Sequence, residues 1–292
     1  MYSVSELYIP QTLEEALAFL SAHPDARPLA GGTDVLVAMR NKKLENLRLM
    51  SLEKLPELEG IRLREDGVLE IGARTTFTQL AASPEAAVRA PMLRTAALAM
   101  GGPQIQNRAT IGGNVCNGAT SADSAPGLFA LDAVLVLQSA AGTRRVPITD
   151  FYSGPGRVKR ESTELLLHLE LPPAASPRHG DCYLKFSTRK AMDLALIGCA
   201  AVCELAEDGT VSKAAIALGV AAPTPVRAAE AETFLLGRRP TLADLEEAGE
   251  LALRSASPRS SWRASKEYRE QIIRTLAKRA FRAAYETAGG VF

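Results

Sequence analysis

Gly60-Ile-Arg-Leu-Arg-Glu-Asp-Gly-Val-Leu-Glu-Ile-Gly72 reads as two short strands, Gly60 to Arg64 and Val68 to Gly72, folded back around Glu65, Asp66 and Gly67. Asp-Gly supplies the positive φ of a tight hairpin, so an antiparallel sheet starts here. Downstream, strands at Ala133 to Ser139 and Arg144 to Ile148 flank Ala140 to Gly142, and another runs over Glu164 to Leu171. Helical patterns at Phe77 to Ala82 and Pro91 to Met100 lie between the hairpin and these strands. Helices and strands mix without regular βαβ alternation, which predicts an α+β fold and not a doubly wound sheet.

Upstream of the hairpin, Thr12 and Glu15 form a capping box, and Leu13, Ala16, Leu17 and Leu20 recur at helical spacing until His23 and Pro24 end the run. Short strands at Leu7 to Pro10, Arg27 to Ala30 and Leu47 to Leu52 complete a βαββ lobe ending near Leu55. On the far side, Pro172, Pro173 and Pro177 interrupt the chain before a second sheet, Cys182 to Ser187, Leu196 to Leu205 and Lys213 to Val220, with a turn at Glu207-Asp-Gly209. Helices at Arg227 to Leu236, Leu242 to Ser255 and Tyr268 to Thr287 close the chain. The expected domains are 1–175, in lobes of about 1–55 and 56–175, and 176–292.

With 292 residues, 47% of them hydrophobic, the chain can bury the core of two domains. Lys plus Arg number 34 against 33 for Asp plus Glu, so no global field draws it to nucleic acid or acidic membranes. Apolar stretches such as Ala195 to Val202 are too short for a bilayer span. Met1 to Pro10 has neither Lys nor Arg and no greasy run, so no secretory signal is expected and the protein is read as starting near Met1 in the cytoplasm. Cys116, Cys182, Cys199 and Cys203 match neither a disulfide framework nor a CxxC knuckle. On a strand, Cys199 and Cys203 share a face but lie some 13 Å apart at roughly 3.3 Å per residue, too far for one metal. All four are expected to be structural thiols.

Two glycine loops carry the chemistry: Leu29-Ala-Gly-Gly-Thr-Asp-Val35 and Ala109-Thr-Ile-Gly-Gly-Asn-Val115. Paired glycines let a backbone approach a ligand, successive N–H groups in a turn form an anion nest, and Thr33 or Thr110 adds a hydroxyl, a combination suited to a pyrophosphate. Neither loop is a Walker loop, and neither completes GxGxxG. A tight turn with no ligand is the plainer reading of either pair alone. Asn117-Gly-Ala-Thr-Ser-Ala-Asp-Ser124 is a long stretch without bulky side chains whose single charge, Asp123, suits hydrogen bonds from a ribose or ribityl chain. Asp123 or Ser124 serves equally well as the N-cap of a helix over Pro126 to Leu131.

Ala30-Gly-Gly-Thr-Asp34, Thr110-Ile-Gly-Gly-Asn114, Thr120-Ser-Ala-Asp123, Gly219-Val-Ala-Ala-Pro-Thr-Pro-Val-Arg227 and Ser261-Trp-Arg-Ala-Ser-Lys-Glu-Tyr-Arg269 together closely resemble the FAD-binding subunit of bacterial xanthine dehydrogenases. The match spans essentially the whole chain in motif order. The resemblance implies a two-lobed FAD-binding domain of the vanillyl-alcohol-oxidase type, then the C-terminal domain of molybdenum-hydroxylase flavoproteins. It implies a complex in which a molybdopterin subunit hydroxylates the purine, a subunit with two 2Fe-2S clusters relays electrons, and this chain passes them through FAD to NAD.

By the same resemblance, Leu29, Ala30, Gly31, Gly32, Thr33, Asp34, Val35 and Leu36 would wrap the FAD pyrophosphate. Thr110, Gly112, Gly113, Asn114 and Asp123 would hold its pyrophosphate, ribityl and adenosine portions. Met100 falls where some relatives place an aromatic residue near the flavin, Leu166 would contact the cofactor through its backbone, and Lys185 would lie near the ring unless it is simply a strand-face lysine. Ala191-Met192-Asp193 carries one acid where animal relatives carry a pair, which bears on NAD as acceptor. His23, His168 and His179 lie outside both loops, so FAD is expected to be noncovalent, and no residue of the chain is needed as nucleophile or acid–base catalyst. The alternatives are the flavin subunit of another molybdenum hydroxylase, acting on an aldehyde, CO or an N-heterocycle, and a redox-inactive assembly protein.

Overall fold

The computed structural model describes residues 3–292. Met1 and Tyr2, where the start of the protein was expected, lie outside them. The first lobe runs β1 (Val4–Tyr8), α1 (Leu13–Ala22), β2 (Arg27–Leu29), α2 (Val35–Arg40) and β3 (Leu47–Ser51). Its sheet has the order β1-β3-β2 and is entirely parallel. The expected βαββ lobe is therefore corrected to βαβαβ: α2, directly after the first glycine loop, returns the chain across the sheet. Its Val-Leu-Val-Ala-Met run is apolar throughout, so no helical periodicity stands out. At α1, Thr12 Oγ1 accepts from the Glu15 N–H, while the Glu15 carboxylate reaches the N–H of Gln11 instead of closing the box on Thr12. Ala16, Leu17 and Leu20 then pack on Met50, Leu52, Leu55 and Leu58.

After a 3₁₀ turn at Pro56–Leu58, the hairpin forms as β4 (Ile61–Leu63) and β5 (Leu69–Gly72), with Gly67 at φ 81°. Six helices follow: α3 (Phe77–Ala82), α4 (Pro84–Arg89), α5 (Pro91–Ala99), α6 (Pro103–Gln106), α7 (Ile111–Asn117) and α8 (Ser124–Ala130). The sequence pattern marks α3, α5 and α8. It misses α4, α6 and α7, each a turn or two long, although Pro at the first position starts α4 and α6. Next come β6 (Val134–Ser139), β7 (Gly142–Pro147), α9 (Ile148–Phe151), β8 (Tyr152–Gly154), β9 (Arg157–Val158) and β10 (Leu165–Leu171). The antiparallel sheet has the order β4-β5-β10-β6-β7. Phe77, Leu80, Leu93 and Leu128 from the helices share one core with Leu69, Ile71, Leu135 and Leu169 from the sheet.

The chain leaves this sheet after Leu171, and the next strand belongs to another. The connecting segment is anchored: the buried Glu204 carboxylate accepts from the N–H groups of Ala175 and Ser176, both at 3.0 Å. The second sheet, β11 (His179–Phe186), β12 (Ile197–Leu205), β13 (Val211–Gly219) and β14 (Val226–Arg227), is antiparallel in that order. All nine residues of β12 are buried. Ala200 and Val202 face the first core, while Cys199, Ala201 and Cys203 face α10 (Ala229–Leu235), α11 (Leu242–Arg254) and α12 (Lys266–Thr287). Small residues are required because both faces are covered at close range: a Cβ on Gly219 would meet Pro126 at 2.9 Å, and one on Gly180 would overlap the Ala284 carbonyl of α12.

All four cysteines are free, and burial pushes the Cys203 thiol up to about 12, so the pair on β12 acts as small apolar side chains. Among the described residues no helix is long and apolar enough to cross a membrane.

Candidate functional site

The two glycine loops meet where the first lobe joins the larger sheet. A Cβ on Gly31 would overlap the Arg108 carbonyl, and one on Gly112 would meet the Ala73 Cβ at 2.5 Å. At these two positions the absence of a Cβ lets protein backbones pack, and both glycines also line the cleft between the loops. The second members differ. Gly32 has φ +74°, a conformation that L side chains rarely adopt, and a Cβ on Gly113 would sit 2.8 Å from Thr110 Oγ1, facing Ala30 at 4.0 Å.

Hydrogen-bond accounting separates the loops further. In the second, Ile111 N–H donates to the Thr75 carbonyl (3.0 Å), Gly112 N–H to Ala73 (2.8 Å) and Asn114 N–H to Thr110 (2.9 Å). Gly113 N–H donates to Thr110 Oγ1 (3.1 Å), so this hydroxyl caps α7 and the loop is no anion nest. In the first, the N–H groups of Gly32, Thr33 and Asp34 meet no acceptor among the described residues, and Asp34 makes no side-chain cap on α2. Gly32 and Thr33 are half-buried and Asp34 is exposed, and the first N–H groups of a helix have no partner within it, so these donors are open to water or to a ligand. The first loop keeps backbone donors open, whereas the second keeps only side-chain donors, the Thr110 hydroxyl proton and the Asn114 amide.

Between them lies a cleft of about 240 Å³. Its lining includes Ala30, Gly31, Gly32, Thr33, Asp34, Val35, Thr110, Gly112, Gly113, Asn114 and, from β10, Leu166. Asn117 Nδ2 donates to Asp34 Oδ2 at 3.2 Å, tying α7 to the first loop. Arg27, Cys116, Asn117 and Arg160 also line the cleft, and sequence reasoning missed them. Arg27 opens the strand leading into the first loop, and Asn117 lies one helical turn beyond Asn114, so both were within reach of a spacing argument. Arg160 arrives from a distant turn with no local signal. Burial pushes the Cys116 thiol up to about 11, leaving it neutral.

The remaining expected residues lie off the cleft. Side chains of Leu29 and Leu36 flank Gly32, each 3.4 Å from where its Cβ would be. Met100 is buried at the end of α5, its carbonyl accepting from Gln106 Nε2 at 2.9 Å. Asp123 occupies the N-cap position of α8 but does not cap it, so neither that role nor an open acceptor describes it. Its carboxylate is 5% exposed and fully engaged: Oδ1 accepts from the Tyr183 hydroxyl (2.8 Å) and Oδ2 from Lys185 Nζ (2.9 Å). Burial raises the Asp123 pKa against the opposing pull of Lys185 and Tyr183. Lys185 also donates to the carbonyls of Ala99 and Asp193, both at 2.9 Å, so it is not a free strand-face lysine. The two clusters are linked, because Ser124 Oγ, beside Asp123, donates to Asn114 Oδ1 at 2.7 Å.

On the other side of Lys185 opens a cavity of about 370 Å³, lined by Ala99, Lys185, the loop from Ser187 to Ala191, and Asp193. Asp193 clasps that loop: its Oδ2 accepts from the Thr188 N–H, the Thr188 hydroxyl and the Arg189 N–H. These hydrogen bonds hold its carboxyl well below the usual range.

Comparison with known proteins matches this architecture along its length. Residues 3–174 match the family described as the FAD binding domain in molybdopterin dehydrogenase, and residues 182–284 match the CO dehydrogenase flavoprotein C-terminal domain. The chain is 43% identical over 290 residues to the xanthine dehydrogenase FAD-binding subunit of Escherichia coli O157:H7, covering 99% of each chain. It is 33% identical to the carbon monoxide dehydrogenase medium chain of Hydrogenophaga pseudoflava, covering 96% of each. Among solved structures, carbon monoxide dehydrogenase from the same organism superposes with a TM-score of 0.93, covering 98% of this chain and 99% of that one. Quinoline 2-oxidoreductase from Pseudomonas putida 86 gives a TM-score of 0.91 at 27% identity, with 99% of each chain covered. The α+β chain, with its glycine-loop cleft and second antiparallel sheet, belongs to the family of FAD-binding subunits of molybdenum hydroxylases.

Proposed function

We propose that the cleft holds one FAD noncovalently and that the chain is the electron-transfer flavin subunit of a xanthine dehydrogenase, with NAD as acceptor. The observation that carries the cofactor assignment is the run of unpartnered N–H donors at Gly32, Thr33 and Asp34 facing a wall of small residues. A diphosphate supplies the acceptors these donors lack. In this reading Ala30 to Val35 hold the pyrophosphate, with Leu29 and Leu36 bracing the turn. Thr110, Gly112, Gly113 and Asn114 shape the opposite wall, and Leu166 contributes backbone from β10. Met100, Asp123 and Lys185 position the far end of the site and the loop beyond it. FAD, when bound, supplies the redox chemistry, and the protein supplies binding, orientation and exclusion of water.

Xanthine as the complex's substrate rests on the 43% identity to the Escherichia coli subunit over the whole chain. The partners in this reading are a molybdopterin-binding subunit and an iron–sulfur subunit with 2Fe-2S clusters, in the cytoplasm. Residues 1–175 form the FAD-binding domain and 176–292 the C-terminal one. NAD is favoured by the cavity beside Lys185, whose ion pair with Asp123 lies next to the Ser124–Asn114 hydrogen bond at the cleft. The second reading, a different molybdenum hydroxylase, draws on the 33% identity to a carbon monoxide dehydrogenase chain.

The purified chain is expected to show a flavin absorption spectrum, with all of the colour released by acid precipitation. Colour in the washed pellet rules out noncovalent binding. The assembled complex is expected to oxidise hypoxanthine and xanthine, and the isolated chain to oxidise neither. NADH is expected to bleach the bound flavin. Reduction by xanthine in the complex with none by NADH would exclude NAD.

A further inference from the structure

Between α11 and α12 the chain presents an indole to solvent from a braced turn. Trp262 is the single tryptophan of the sequence and is 87% exposed, although large aromatic side chains gain most from leaving water. The turn is held from several sides. Ser261 N–H donates to the Ala264 carbonyl (2.9 Å), and Ser257 N–H ties the start of the segment to Ala221 (2.8 Å). From beneath, Arg269 of α12, 4% exposed, donates to Ser261 Oγ at 3.1 Å and to the Leu196 carbonyl at 2.5 Å. The Arg263 guanidinium stands 4.5 Å from the centroid of the indole. The backbone under Trp262 is thus braced, so docking would order chiefly the exposed indole and guanidinium.

The charge at this turn is predominantly positive. Arg259 to Glu270 contains four cations, Arg259, Arg263, Lys266 and Arg269, against two acids, Glu267 and Glu270. Among the described residues, Lys266 alone of these meets a carboxylate, Glu270 at 3.8 Å. The buried Arg269 has no carboxylate partner, its Nε lacks any acceptor, and Arg259 and Arg263 add to the positive field around it. The chain's own acids, Glu267 and Glu270, answer Lys266 and leave Arg259 and Arg263 without an ion pair among the described residues, so an acidic partner would complement them. Trp and Arg are also the side chains in which interface energy concentrates.

We propose that the Trp262 turn is a docking surface for an acidic face of a partner protein subunit, the indole entering an apolar pocket of that subunit and carboxylates pairing with Arg259 and Arg263. Only the existence of the partner rests on the flavin-subunit reading. A protein is favoured over nucleic acid or membrane because the cations lie in one short turn with acids beside them, not along an extended basic stripe, and the chain's net charge is only +1.

The test uses the full-length chain labelled with 5-fluorotryptophan, which gives one fluorine resonance. Titration with the molybdopterin-binding and iron–sulfur subunits is expected to shift that resonance and abolish its solvent isotope effect. Trp262→Ala and Arg263→Glu are each expected to weaken subunit association about 10- to 100-fold, with FAD content at the wild-type level because neither residue lines the cleft. The docking is overturned if the complex assembles with the resonance unmoved, or if both variants associate as tightly as wild type. It is equally overturned if the FAD-loaded chain binds neither subunit, or if only phosphatidylserine vesicles or duplex DNA shift the signal. Absence of FAD from the purified chain overturns the flavin reading instead and leaves the association measurements legible.

Discussion

The two glycine loops look alike in sequence and do different work. The first, around Gly31 and Gly32, spends one glycine on packing and leaves a series of N–H groups without acceptors. The second, around Gly112 and Gly113, also spends one glycine on packing but consumes its N–H groups internally, one of them on the Thr110 hydroxyl oxygen. A repeated Gly-Gly motif therefore does not imply a repeated function. What separates the loops is the helix each opens: α7 is capped and docked on Thr75 and Ala73, whereas α2 starts uncapped.

If the second loop and its neighbours are scaffold, variants there should act on folding first. Asp123→Ala removes the only carboxylate of a buried ion pair and strands Lys185, at a cost of about 3–5 kcal/mol. Chemical denaturation is the measurement, and a stable Asp123→Ala protein that has merely lost FAD would assign Asp123 to the cofactor and not to the scaffold. Gly112→Val should follow at about 1–3 kcal/mol of overpacking against Ala73, visible as a lower melting temperature with or without FAD. Gly113→Val, its neighbour, should weaken FAD roughly 10- to 100-fold by titration and also cost about 1 kcal/mol of stability, because its Cβ meets the Thr110 hydroxyl that caps α7.

The threonines give a sharper contrast at smaller amplitude. Thr110→Ala loses an N-cap, about 1 kcal/mol of stability, with FAD affinity nearly unchanged. Thr33→Ala should do the reverse, weakening FAD severalfold at constant stability. Exchange of these outcomes would dissolve the distinction between the loops.

The smallest effect lies away from both loops. Burial pushes the Asp181 carboxyl from 3.8 up to about 6, with one N–H from Met92 in partial compensation. The folded state thus holds a proton that the unfolded state has already released, so stability declines as pH rises from about 4 to about 6. Asp181→Asn should flatten that slope and raise stability at pH 7 by on the order of 1 kcal/mol, allowing for solvent screening. FAD affinity across the same pH range should not respond to this substitution.

Strong local chemistry made much of this legible in the sequence. Asp66-Gly67 marked the hairpin, Thr12 and Leu13 to Leu20 marked α1, and the two Gly-Gly pairs marked the cleft. The parallel order of the first sheet was hidden because α2 is apolar at five successive positions and leaves no periodicity to read. Asp123 was singled out, but its partners Tyr183 and Lys185 stand 60 and 62 positions away, where one sequence offers no pairing signal. Arg160 was invisible for the same reason. The internal use of the Thr110 hydroxyl was within reach, since Thr before a short helix is a capping signal.

One strand decides how the molecule comes apart. Alternate residues of β12 belong to different cores, Ala200 and Val202 to one, Cys199 and Cys203 to the other. Neither core can dissolve without stripping one face of the strand that completes the other, so local opening on either side propagates. The amides from Ile197 to Leu205 should be among the slowest in the molecule to exchange with deuterated solvent, with protection close to the global unfolding free energy. Two units separable in sequence behave, through this strand, as one cooperative foldon.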